Sequence, residues 1–419
     1  MTAKTESLSR PADPAFALAA TIAAVALFLV SWGALNHGYF TSHPIVDTPV
    51  YERYGAAMAD GKLPYRDFAV EYPPGALPVF AAPALGGVGF ETFRVRFEAL
   101  MALFGEALIL CVAAALVALG TGRKRLVAGL AFVALAPLAL GPVVVSRFDL
   151  WPTALTAVAL AALVSGRLRL GHVALGAAIA TKLYPVVLAP IAVAYVWRHR
   201  GRREALVCAG ALAAVVALAF APFLVLAPGG LWHSLWGQAS RPLQIESLGA
   251  GLLLVAHHAV GTGITMESSH GSQNLVGSGP DALAVAQSAL QVVALLAVWI
   301  LFARGPATRE RLILASGAAL VAFIVGGKVL SPQFLIWLLP VIPLVGGRRG
   351  LVATGLLGTA LVLTQLWFPY RYWQLVLHFG TLQSWLVLLR DLVLVPLLLT
   401  LLLPLRHRDT DGLAARRAA

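Results

Sequence analysis

Between Asn36 and Gly75 the chain gathers five carboxylates, Asp47, Glu52, Asp60, Asp67 and Glu71, out of 19 in its 419 residues. The stretch runs from His43 through Asp47-Thr-Pro-Val-Tyr51 and Pro64-Tyr65-Arg66-Asp67-Phe68 to Glu71-Tyr72-Pro73-Pro74-Gly75. A carboxylate set among aromatic rings can take a proton from a sugar hydroxyl as a general base, provided the hydroxyl comes within hydrogen-bond reach. The plainer alternative for each of them is a solvated loop charge or a helix cap.

Two lysines lie in apolar runs. Lys182 stands at Lys182-Leu183-Tyr184-Pro185, and Lys328 follows Gly326-Gly327 and precedes Ser331-Pro332-Gln333. An ammonium near a bilayer centre costs on the order of 3 kcal/mol on insertion scales, so each needs a partner or a task. Meeting a lipid-linked phosphate as a point charge is one such task; snorkelling to the nearest interface is the alternative. Arg147-Phe148-Asp149 sits at a helix start, where Asp149 is expected to cap the helix and pair with Arg147. Arg390 and Asp391 are helix neighbours that do not face each other, so each is expected to find a different partner. A second polar stretch holds Arg241-Pro-Leu-Gln244-Ile-Glu246-Ser247 and then Ser269-His270-Gly-Ser-Gln273-Asn274, donors and acceptors suited to a sugar headgroup. A metal site is poorly supported and the metal requirement stays open: His257 and His258 are adjacent, and ligands on one helix face come four apart.

Helices must position these groups. Runs such as 15–35, 127–145 and 386–403 approach the roughly 20 apolar residues that cross a bilayer, and in lipid only a helix satisfies such a segment's backbone internally. Arginine and lysine cluster at 123–125, 167–169, 198–203, 304–311, 348–349 and from Arg406 onward. Placing every cluster in the cytosol gives an all-α polytopic protein with about ten full crossings: 15–35, 95–120, 126–146, 149–165, 205–227, 281–303, 310–328, 329–345, 351–368 and 384–404. Residues 1–14 and the tail 406–419 then face the cytosol, and 15–405 form one transmembrane domain. Its outside loops are 36–72, 228–280 and 368–383. The pieces 73–89, 171–197 and 247–260 are expected to be short re-entrant or interfacial helices. For 171–197, two half-helices parted at Lys182 and a single proline-kinked helix both stand.

Composition excludes a soluble domain: 59% of residues are hydrophobic and 12% charged, against about a quarter charged in soluble domains. The formal net charge of +12 reports topology, because the basic residues fall between apolar runs; no nucleic-acid face is implied. Cys111 and Cys208 show neither metal-ligand nor redox spacing.

Taken together, Asp47 with Tyr51, Pro64 to Phe68 followed by Tyr72-Pro73-Pro74, Arg147-Phe148-Asp149, Lys182 to Pro185, Arg241 to Ser247 and Ser331 to Trp337 resemble the bacterial branch of glycosyltransferase family 87. Its members are polytopic enzymes of the GT-C superfamily. The resemblance implies an inverting transfer of a sugar, mannose first and arabinofuranose as the alternative, from a polyprenyl phosphate to a glycolipid or polysaccharide acceptor. The reaction would occur at the outer face of the plasma membrane, with membrane lipid as a partner and no cofactor expected. It assigns the base to Asp47, with Asp67 as fallback, and the donor phosphate to Lys182, Lys328, Arg241 and His270. Tyr51, Tyr72, Arg147, Asp149, Tyr184, Gln244, Glu246, Gln273 and Gln333 would line the substrates. A transporter or lipid flippase fits the same hydropathy, but such proteins pair their broken helices, and no second copy of the break at Lys182 to Pro185 is apparent.

Overall fold

A computed structural model describes residues 11–42 and 45–406. The expected cytosolic tail from 407, residues 1–10 of the N-terminal segment, and His43 and Pro44 lie outside them.

Helix α1 (Pro14–Ala34) opens the fold, capped by Asp13, which accepts the Phe16 N–H at 2.9 Å. The shorter α2 (Thr48–Ala59) and α3 (Leu77–Ala84) follow. Then come α4 (Phe90–Ala118), α5 (Arg123–Leu140), the single turn α6 (Val143–Ser146), α7 (Leu150–Val164), α8 (Leu168–Thr181) and α9 (Ala189–Arg200). Next, α10 (Arg202–Leu226) leads to α11 (Pro228–Ala239), β1 (Leu243–Gln244), α12 (Leu248–Val260), β2 (Thr265–Ser269) and β3 (Ser272–Val276). The described chain closes with α13 (Ser278–Arg304), α14 (Arg309–Val325), α15 (Gly347–Gln365), α16 (Tyr372–His378) and α17 (Thr381–Leu402).

Among the described residues, five helical segments, at Pro14–Ala34, Phe90–Ala118, Arg202–Leu226, Ser278–Arg304 and Thr381–Arg406, are long and apolar enough to cross a membrane. The most apolar stretch of α10 has none of its residues buried, so its side chains have lipid as their natural solvent. By contrast α14 is buried along nearly its whole length and packs on α9, α13 and α17, which makes it central.

Nine of the ten predicted crossings are α-helices close to their predicted places. The tenth, 329–345, is not. It folds as two 3₁₀ segments, Pro332–Leu338 and Ile342–Leu344, because Pro332, Pro340 and Pro343 each remove a backbone donor that a continuous α-helix needs. The break after Val325 is thus a second counterpart to the one after Thr181, which corrects the expectation of a single break. At the first break, Lys182 is extended between α8 and a 3₁₀ turn, Tyr184–Leu188. Two half-helices, not one kinked helix, therefore occupy 171–197.

The fold is also not purely helical. A small antiparallel sheet, ordered β1-β3-β2, pairs Leu243 with Leu275 and Met266 with Leu275 from the other side. His270 and Gly271 make the hairpin turn, both with positive φ.

Candidate active site

Asp47 immediately precedes α2, at the position where a cap would sit, yet its side chain makes no capping bond. Pro49 lacks an N–H, which removes one of the donors that a capping carboxylate would use. The carboxylate turns instead to Arg147, with Oδ2 in an ion pair to Nη1, and accepts the Tyr51 hydroxyl at 3.4 Å. Tyr51 is itself fixed, 1% exposed and stacked on Phe80 at 4.7 Å between centroids.

Asp149 does not cap α7 and does not pair with Arg147, contrary to expectation. Its Oδ1 accepts Lys182 Nζ and Trp337 Nε1, each at 2.7 Å. The Lys182 ammonium is further boxed by the rings of Phe148 (4.7 Å), Trp337 (5.2 Å), Phe334 (5.8 Å) and Tyr72 (5.9 Å). Ring faces are electron-rich, so they favour a cation that has left water. Tyr184 stacks flat on Trp337, 4.1 Å and 1° apart, and so joins the two broken helices.

The Tyr72-Pro73-Pro74-Gly75 stretch has a structural task. Gly75 lies against the last turn of α8, where an added Cβ would stand 2.7 Å from the Ala180 carbonyl carbon. Its carbonyl accepts Trp151 Nε1 at 3.2 Å and Thr181 Oγ1 at 3.3 Å. Only glycine allows that approach, and the contact fixes the residue immediately before Lys182.

At the second break, glutamines replace the missing helical partners. Gln287 Nε2 donates to the Gly327 carbonyl at 2.7 Å, and Gln291 Nε2 to the Phe323 carbonyl at 2.6 Å. Gln244 works as a backbone surrogate. Its N–H donates to the Lys328 carbonyl at 2.9 Å, its Oε1 accepts the Leu330 N–H at 2.9 Å, and its Nε2 donates to Glu246 Oε2 at 2.7 Å. Irregular backbone away from water requires such partners. Gln287 and Gln291 escaped the sequence reading, since a glutamine in a long helix has no signature beyond being polar among apolar neighbours.

These elements enclose a cavity of about 890 Å³. Asp47, Tyr72, Arg147, Lys182, Tyr184, Arg241, Gln244, Glu246, Gln273, Lys328 and Gln333 all line it. Tyr51 and Asp149 stand one layer behind, through Asp47 and Lys182. Two expected residues are elsewhere. Asp67 is consumed by its own turn, accepting the Leu63 N–H at 2.7 Å and pairing with Arg66, which holds its carboxyl down at about 2. His270 is exposed at the hairpin tip, and only its carbonyl engages the site, accepting Arg241 Nη2 at 3.1 Å. Arg390 and Asp391 meet each other directly at 2.5 Å, and Arg390 also donates to the Glu246 carbonyl at 2.7 Å. That contradicts the expectation of separate partners, because two opposite charges buried side by side each gain a counter-charge by turning toward one another.

The cations of the cavity fall into two kinds. Arg147 and Lys182 are each neutralised by a carboxylate. Lys328 bonds only the Ala239 carbonyl at 3.0 Å, while Arg241 bonds the Gln238 side chain at 3.3 Å and the His270 carbonyl. Among the described residues neither has a carboxylate within ion-pair distance. No group of three or more His, Cys, Asp or Glu among the described residues could hold a metal ion.

Fold and site together define a class: a mostly helical protein with helices apolar enough to span a membrane, built around a polar cavity with paired and unpaired cations. No protein-family model matches the chain, and no curated protein does. Among solved structures it is similar to ArnT from Cupriavidus metallidurans bound to undecaprenyl phosphate, at a TM-score of 0.49 and 16% identity over 93% of this chain and 77% of that one. The apo state of the same protein gives 0.47 and 16% over 92% and 77%. At this level of likeness, function has to be argued from the chain's own residues.

Proposed function

We propose that this protein is an inverting glycosyltransferase that moves a sugar, mannose first, from a polyprenyl phosphate to a glycolipid or polysaccharide acceptor at the outer face of the plasma membrane. The observation that carries this reading is the cavity, in which the Asp47 carboxylate shares a space, also lined by Glu71 and Glu246, with two cations, Lys328 and Arg241, that among the described residues have no carboxylate within ion-pair distance. Asp47 takes the acceptor hydroxyl's proton as that oxygen forms its bond to the anomeric carbon. The bond from that carbon to the phosphate oxygen breaks on the opposite side, and the electron pair leaves with the lipid phosphate. Lys182, Lys328 and Arg241 stabilise the charge that develops there, an electrostatic contribution that usually dominates such transfers. The cytosolic placing of both termini belongs to the same proposal, with 329–345 returning as a broken segment in place of a helical crossing.

Transport is the second reading, favoured by one observation: two broken helices face each other across the Tyr184–Trp337 stack. Purified protein incubated with radiolabelled polyprenyl-phosphate mannose, and separately with the arabinose donor, plus a crude lipid extract, separates the readings. Mannose label is expected to appear on an acceptor. Arabinose label alone would change the sugar, and vectorial movement of the lipid without transfer would replace the enzyme by a flippase.

Donor binding should depend on pH through Glu246. Burial, opposed by Arg390, Arg147 and Arg241, pushes its carboxyl up to about 7. Below that value the group is neutral and the cavity carries one negative charge fewer; above it, the carboxylate repels the donor phosphate. With the charges several ångströms apart at an effective dielectric near 20, donor affinity should weaken about tenfold as pH rises from about 6 to 8. Glu246→Gln should flatten the profile at the tight-binding level. A profile of unchanged slope in that variant would remove Glu246 from the explanation.

A further inference from the structure

Arg147 and Asp149 stand two residues apart, yet their side chains leave the same short turn for different partners. Arg147 is extended and Asp149 helical, which sends the two in separate directions. One reaches Asp47 and the other Lys182. Phe148 between them is fully buried, 4.7 Å from the Lys182 ammonium and 5.7 Å from the ring of Tyr51, whose hydroxyl donates to Asp47. A single rigid turn therefore touches the groups at both ends of the reaction.

The four charged groups are drawn from three places: Asp47 from the start of α2, Lys182 from the break after α8, and Arg147 and Asp149 from the link between α6 and α7. Nothing in the local backbone of Asp47 or Lys182 sets their separation. We infer that Arg147 and Asp149 are positioning residues, which hold Asp47 and Lys182 at a fixed spacing across Phe148. The inference rests on the glycosyltransferase reading for the roles of Asp47 and Lys182, and on geometry alone for the coupling between them.

The two halves of the turn predict different kinetic defects. Asp149→Asn keeps the shape but leaves Lys182 without its counter-charge, so the ammonium loses its fixed place at the cavity wall. Its Kd for undecaprenyl phosphate should rise tenfold or more, with Asp149→Glu recovering part of the loss. Arg147→Gln frees the Asp47 carboxylate to rotate, and should cut turnover at saturating donor tenfold or more while leaving that Kd within about twofold.

Binding of undecaprenyl phosphate and single-donor turnover are measured on the full chain in detergent, alongside the thermal midpoint. A split of the two defects between Kd and turnover supports the positioning role. Wild-type values in both variants, or equal losses of both parameters that follow the fall in folded protein, overturn it. Should Asp149→Asn fail to fold, Asp149→Glu decides alone: it keeps the charge, shifts it by one methylene, and must raise Kd in folded protein. Wild-type protein that neither binds the lipid phosphate nor transfers sugar overturns the underlying functional reading, an outcome distinct from a binding wild type matched by its variants.

Discussion

Asp47→Asn should reduce sugar transfer by about 10³-fold, the middle of the range for loss of a positioned general base. Asparagine has the same shape, and its amide oxygen can still accept from Arg147 and Tyr51, so the turn that meets Asp47 keeps its hydrogen bonds. What disappears is the negative charge that receives the acceptor's proton. The defect should therefore lie in turnover, with the donor still bound and the protein inserted. Asp60→Asn is the matching control: Asp60 closes the other end of α2, is exposed, and lines no part of the cavity. Purified Asp47→Asn protein that turns over at more than about a tenth of the wild-type rate would take the base away from Asp47.

That experiment depends on a residue that was visible in the sequence, while its partner was not. Lys182 and Lys328 stood out because each charge interrupts an apolar run, and a charge that costs free energy has a reason to be there, whereas Asp47 was picked from five loop carboxylates by the resemblance. Their convergence on one cavity was an expectation from the resemblance. The pairing was misread because Arg147 and Asp149 are close in sequence and opposite in sign. Proximity along the chain says nothing about direction, and the backbone turns them apart.

The same distinction governs the fold. Hydropathy counts apolar residues, so it located α1, α4, α10, α13 and α17 well. It cannot count backbone donors, and so it read 329–345 as a crossing although three prolines leave that stretch short of N–H groups. The amides that repair the second break come from residues up to 86 positions away in the chain, Gln244 from one side and Gln287 and Gln291 from another. No local pattern announces them. The hairpin from Thr265 to Val276 was legible in principle, through His270-Gly271 between alternating residues, but its polarity marked it as loop.

The remaining large effect concerns the two cavity cations that, among the described residues, have no carboxylate within ion-pair distance. A buried ion pair has already satisfied part of its field internally, so what Lys182 offers an incoming anion depends on where Asp149 holds it, while Arg147 is turned to Asp47. Lys328 and Arg241 bond only neutral acceptors, and a phosphate that reaches them forms charge-assisted bonds with no pair to break. Each such bond is worth about 1.5–3 kcal/mol, or roughly 10- to 100-fold in affinity. Lys328→Ala and Arg241→Ala should each weaken donor binding by that factor, and the double variant by about 10³-fold if the two bind opposite sides of one phosphate. Turnover by donor-saturated enzyme should fall less in Arg241→Lys, which keeps the charge, than in Arg241→Ala. Titrating the donor against the four proteins by quenching of intrinsic tryptophan fluorescence gives the answer directly, since Trp337 and Trp373 line the cavity. If the double variant binds the lipid phosphate as tightly as wild type, the phosphate sits elsewhere, and the paired cations would have to open their ion pairs to receive it.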